Sequence, residues 1–254
     1  MIKFFRKIRQ NLLMENKTGK PALPPARYFK YAIGEIILVV VGILIALQIN
    51  NWNENRNEKN SLKILTENLH NEFTTNLKEL EIDLIRMKRK ISAGNELLTY
   101  FGKEKMDIPE LNIDSLLFET IELPTWNPST FTLNEIKNSG KLSDIKDVEL
   151  KELLYKWERL YEDILEWQNA LETSNDGPIN IIKTKGSIVN IDFYKDNTQN
   201  SKFDINNLAL LQEVQFENEI ENNIFNARVL EKKYREAKVL LTEITDLSIS
   251  ETIK

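Results

Sequence analysis

The sequence predicts an all-α chain: one N-terminal transmembrane helix, then an antiparallel bundle of three or four long helices. Three observations predict it. An unbroken apolar run, Ile36 to Leu47, sits between a basic flank and an acidic remainder. Three later segments place apolar residues at steps of three and four, the period of a helix face. Turn formers are scarce: the 254 residues include 8 Gly and 7 Pro, three of the latter at 21, 24 and 25. That disfavours a fold of many short strands.

Residues 1–30 carry eight Lys and Arg against Glu15, a charge of +7 within a chain of net charge −5. Within them, IKFFRKIRQNLL at 2–13 reads as an amphipathic basic helix on the cytoplasmic side. Phe5, Ile8 and Leu12 share a face, and Lys3, Arg6, Lys7 and Arg9 reach anionic headgroups. Its plainer role is a positive patch that sets topology. Gly19 and the stretch KPALPPAR break the helix before the span.

The span is placed at 31–52. The strict apolar run is short, so its flanks decide the matter. Tyr31 to Trp52 makes a helix of about 33 Å, close to the roughly 30 Å hydrocarbon thickness. Tyr28, Phe29 and Tyr31 mark one interface and Trp52 the other. The Ile, Leu and Val of the run contribute roughly −3 to −6 kcal/mol towards insertion. Glu35 opposes this, but within a turn of the basic flank it costs less than the roughly +2.5 to +3.5 kcal/mol of a central acid. Ala46-Leu47-Gln48 is a poor cleavage site, so the expectation is an uncleaved signal anchor. The positive-inside rule places the N-terminus in the cytoplasm and residues 53–254 in the periplasm.

MIKFFRKIRQNLL, KPALPP followed by RYFKYAIGE, and ILVVVGILIALQINNWNE together resemble a group of single-span proteins common in flavobacterial-type genomes. That group is catalogued only as a domain of unknown function. The likeness is close over residues 1–56, and FTLNEIKNSGKLSDIKDVELKELL, residues 131–154, resembles its most recognisable downstream stretch. The resemblance implies an inner-membrane anchor in a Gram-negative bacterium. It implies no activity and supplies no catalytic residue.

Residues 53–101 read as one helix continuing from the span. Its seam is Leu62, Leu65, Leu69, Phe73, Leu77, Leu80, Leu84, Met87, Ile91 and Leu98, spaced as in coiled-coil packing. Gly102 suits its C-terminal cap. Pro109, Pro124 and Pro128 punctuate a broken region in which Ile113–Ile121 is a short helix. Thr132 to Glu135 matches a capping box, and Gly140 stops the turn that follows. Residues 144–172 form the next long helix, with Leu150, Leu153, Trp157, Leu160, Ile164, Trp167 and Leu171 on its seam. Asn175-Asp176-Gly177-Pro178 is expected to end it. Residues 178–204 are irregular, and SIVNIDF at 187–193 has strand character. A last helix covers 205–247, with Leu208, Leu211, Ile220, Ile224, Ala227, Tyr234, Ala237, Leu241 and Ile244 inward.

Chemistry is hard to find. There is no Cys, which removes thiolate chemistry and disulfides. Residues from 53 onward carry a charge of −11, against nucleic-acid binding. The single His, His70, forms one E-x-x-H with Glu67, but a di-iron bundle needs the motif twice; a surface histidine is the reading. Glu162/Glu166 and Glu217/Glu221 fall on solvated faces. Trp157 and Trp167 belong to the core, and Trp126 in LPTWNPST is the candidate exposed contact. No catalytic, cofactor-binding or metal-binding residue is expected, and no cofactor. The expected partners are the lipid bilayer, an unknown protein, and a second copy through Gly34, Gly42 and Ala46 of the span. Three functions stand: a membrane-anchored periplasmic scaffold or partner-binding protein; a small-ligand-binding sensory bundle that signals through a separate partner; and an enzyme, for which no motif exists.

Overall fold

The computed structural model describes residues 25–104, 108, 112–196 and 199–253. The basic segment at 2–13, the break that follows it and Pro109 lie outside the described residues. All regular structure among the described residues is helical. The chain divides into two compact units, Met1–Lys59 and Asn60–Lys254.

The first unit holds the beginning of α1, Pro25–Leu98. Pro25 stands at the first helical position, where its missing N–H leaves no bond unmade. From Ala32 to Lys59 every side chain is exposed. This is the one helix among the described residues long and apolar enough to cross a membrane. Trp52 is exposed beside the Arg56 guanidinium, 5.7 Å from its ring centre.

The second unit is built on the rest of α1, α4 (Val148–Lys185) and α6 (Val214–Ile253). The seam expected of α1 is core throughout: Leu65, Leu69, Phe73, Leu80, Leu84 and Met87 are buried, Leu62, Leu77 and Ile91 pack against them, and Leu98 packs against a smaller core. In α4, Leu150, Leu153, Trp157, Ile164 and Leu171 are buried; in α6, Ile220, Ile224, Ala227, Tyr234, Ala237, Leu241 and Ile244. Each Leu, Ile, Phe or Met among them contributes about 1.5–3 kcal/mol when fully buried. A smaller core joins Leu97 to Ile113, Leu117, Ile181, Ile182, Ile191, Leu210 and Phe216.

Five local expectations are corrected. First, α4 does not stop at 175–178 but runs to Lys185 with Pro178 inside it. An internal Pro costs about 3 kcal/mol. Pro178, Ile181 and Ile182 are all buried here, and their combined burial outweighs that cost. A Cβ at Gly177 would lie 2.6 Å from Cδ of Glu219, the end of a flexible side chain that can turn aside. Second, 187–193 is not a strand: α5 (Ile188–Asp196) forms instead. The Ser187 hydroxyl accepts from the Asn190 N–H at 3.3 Å as an N-cap does, and Ile191 is buried. With no strand beside it, β propensity had nothing to act on.

Third, α3 (Phe131–Asn138) starts ahead of the expected capping box. The Thr132 N–H donates at 2.7 Å to Glu72 Oε2, a carboxylate from α1, so the cap is tertiary. Fourth, α6 begins at Val214, and Asn207–Gln212 is a 3-10 turn. Fifth, Gly102 has the left-handed φ of +72° expected of it, but its N–H donates across the fold to Leu211 O at 3.0 Å. The expectation for α2 (Ile113–Ile121) holds at both ends, and Gly140 ends α3 with φ +75°. Asp147 caps α4 through the Leu150 N–H at 3.0 Å.

Candidate functional site

Two polar clusters lie inside the second unit. The first surrounds Trp126, which is not an exposed contact but is 1% exposed. Pro124 and Pro128 hold the chain extended on either side of it, and hydrogen bonds fix it in place. Its indole N–H donates to Asn76 O at 3.1 Å, and its backbone N–H to the Tyr234 hydroxyl at 3.1 Å. Its carbonyl accepts from the Gln168 amide at 2.8 Å. Gln168 also donates to the Tyr234 hydroxyl at 2.7 Å. Asn76 exchanges two bonds with the Ser129 backbone, each 2.8 Å. Phe73, Trp157, Trp126 and Tyr234 meet edge to face at 5.6–5.9 Å. Burial pushes the Tyr234 phenol up to about 12, against the donors from Gln168 and Trp126. This hydroxyl is a fixed structural group at neutral pH.

The second cluster surrounds Lys90, which is fully buried. Its ammonium donates to Thr120 O, in the last turn of α2. The carbonyls of that turn lack intrahelical donors and carry the negative end of the helix dipole. The Asn175 amide of α4 donates to the next carbonyl, Ile121 O, at 2.9 Å. Two long helices thus cap the end of α2 from inside. Burial lowers Lys90 from the ordinary lysine range to about 7, and the charge of Glu122 opposes the drop. Arg86 holds Glu122 at 3.0 Å and Asp83 at 2.7 Å. Burial raises the Asp83 carboxyl, and the Arg86 bond works against it.

Sequence reasoning missed Lys90 because it closes the run Lys88-Arg89-Lys90, which reads as a solvated face. A second stripe of α1 carried the signal: Asp83, Met87, Lys90, Gly94 and Leu97 step by four, three, four and three. At Gly94 a Cβ would fall 2.5 Å from Ile224 Cγ1, so only glycine lets α6 approach there.

His70 is half-buried rather than a surface group. Its Nδ1 lies 3.1 Å from Thr245 O and 3.2 Å from the Ser248 hydroxyl, and it joins α1 to α6. Glu162, Glu166, Glu217 and Glu221 are exposed, and Glu221 pairs with Arg228 at 2.9 Å. Trp157 is buried and Trp167 partly so. Among the described residues, no three His, Asp or Glu side chains meet as a metal site would require. Glu35, Gly34 and Gly42 lie in the exposed part of α1, with open space beside both glycines. The arrangement at Lys90 has a charge, a tuned amine and amide oxygens, all enclosed. What it does chemically is bind the 99–147 connection to the long helices.

A sequence profile described as a family of unknown function (DUF6090) matches residues 35–219. That is well over half of the chain, and the chain belongs to this family. No curated protein matches the chain. No solved structure matches it either.

Proposed function

We propose that this protein is a membrane-anchored helical scaffold that presents a partner-binding domain on the periplasmic side of a bacterial inner membrane. The observation that carries the reading is the run Ile36 to Leu47, exposed along its whole length. The apolar residues of the second unit's seams are enclosed; these are not. Lipid is the medium in which such a face costs nothing. The basic flank before the run sets the orientation.

The domain is read as an antiparallel bundle. Supporting this, Lys238 of α6 meets Glu81 of α1 at 2.7 Å and Arg228 meets Asn95 at 2.6 Å, so residue numbers rise on one helix as they fall on the other. Likewise Asn223 meets Ser174 at 3.2 Å and Lys233 meets Asp163 at 3.1 Å, which sets α6 against α4. The buried interior is occupied by structural hydrogen bonds, and this favours a scaffold over a catalyst.

Reporter enzymes fused after residue 254 test the reading. Activity is expected from a reporter that works only outside the cytoplasm, in membranes that resist alkaline extraction. Activity from a cytoplasm-requiring reporter alone, or release by alkali, defeats it. Self-association through Gly42 and Ala46 belongs to the same reading, since small residues four apart allow close backbone approach. Energy transfer between labelled full-length chains in lipid is expected above a monomeric control, and to fall in Gly42→Leu/Ala46→Leu. Equal transfer in both removes that face from the account.

A further inference from the structure

We propose that the Lys90 cluster is a hydration site: one water molecule held between the Lys90 ammonium and the side-chain oxygens of Asn175 and Asn223, joining α1, α4 and α6. An ammonium has three N–H donors; the structure gives one of them to Thr120 O. Asn175 and Asn223 are 1% and 0% exposed. The Asn175 amide nitrogen is committed to Ile121 O, and that of Asn223 to the Ser174 hydroxyl at 3.2 Å. Both Oδ1 atoms are buried without a hydrogen-bond partner among the described residues.

These groups converge on the end of α2. Thr120 and Ile121 are consecutive, so the carbonyls that receive Lys90 and Asn175 are neighbours. Asn223 comes from the opposite side, next to Ile224, whose side chain lies over Gly94. A Cβ at Gly94 would also lie 3.5 Å from Thr120 Cγ2. The Lys90 and Asn175 side chains therefore end on neighbouring carbonyls, and Asn223 reaches α4 one residue before Asn175.

Their chemistry selects the occupant. A metal ion there would face an ammonium, and an anion would face two amide oxygens. Water accepts one bond and donates two, so it takes one of the two spare ammonium donors and meets both acceptors. Buried waters typically make two to four such bonds, and leaving a buried acceptor unmet is destabilising.

The test is a structure of the full-length chain in detergent or nanodiscs, at a resolution that shows water. An ordered peak about 2.7–3.2 Å from Lys90 Nζ and from one or both oxygens is expected. Well-ordered side chains with no peak between them, or Nζ bonded directly to both oxygens, overturn the proposal. Lys90→Met and Asn175→Leu, singly and together, supply an independent reading by unfolding of the full chain. Groups that share a water couple, so the double variant is expected to fall short of the product of the two singles by about fivefold or more in unfolding constant. Independent effects of the two changes overturn the shared site.

Discussion

Around Trp126 the buried polar groups are neutral and meet one another; Lys90 is a buried ionisable group, and the amide oxygens of Asn175 and Asn223 have no partners among the described residues. Both clusters draw on α1, α4 and α6, and both secure the connection between α1 and α4. The difference lies in what each closes. The Trp126 cluster clamps an extended segment whose peptide groups need individual partners. The Lys90 cluster closes the C-terminus of a helix, where several carbonyls point the same way and a cation is favoured. A neutral network of this kind is insensitive to pH. A buried ammonium is not.

Trp126→Ala tests the first half of this contrast and has the largest expected effect. It empties the centre of four packed aromatic rings, and large-to-small changes at such sites cost about 3–5 kcal/mol. Chemical denaturation of the full chain in micelles is the measurement. A loss below about 1 kcal/mol would mean that the loop is not the keystone of the larger core.

The second half predicts a pH dependence that resides in one residue. The Lys90 pKa is lowered to about 7 in the fold and returns towards 10.5 on unfolding. Between those values the unfolded state holds the extra proton, so stability rises with pH across the window. Below about 7 both states are protonated and this contribution to the slope disappears. At its steepest, one proton gives about 1.4 kcal/mol per pH unit. Lys90→Met is expected to remove that slope, measured as unfolding midpoints from pH 6 to 10. An unchanged slope in the variant assigns the effect elsewhere and erases the contrast between the clusters.

How much of this was legible follows the same division. Periodicity found most core residues of α1, α4 and α6, because burial on a helix face repeats every three to four residues, but it missed Ala93, Leu97, Leu154, Ile181, Ile182, Phe216, Leu230 and Leu240. It found both ends of α2 as well. It did not find Lys90, Trp126 or the tertiary cap at Glu72. Each depends on a residue distant in the chain: Thr120 for Lys90, Tyr234 for Trp126, Thr132 for Glu72. Local composition misled wherever tertiary burial overrode it, at Pro178 and at 187–193. The apolar run was legible because length and composition alone mark a helix that could cross a membrane, and no partner residue is needed to see them.

Pro178 supplies the smallest effect and bears on why the Lys90 cluster is the less complete one. Its ring removes the N–H that would bond to the Ser174 carbonyl, one residue before Asn175. The helix ladder is thus interrupted where α4 reaches the end of α2. Pro178→Ala restores that donor and relieves the ring's clash, a gain of up to about 3 kcal/mol in an exposed helix. Against this, the buried ring loses about two methylenes of packing, at about 0.8 kcal/mol each. The balance is a stabilisation of about 1 kcal/mol, seen as a higher unfolding midpoint with the Lys90 slope retained. A destabilisation would show that the ring is worth more to the smaller core than the missing bond costs the helix. The interruption at Ser174 would then be a feature that packing demands, rather than a cost that packing merely tolerates.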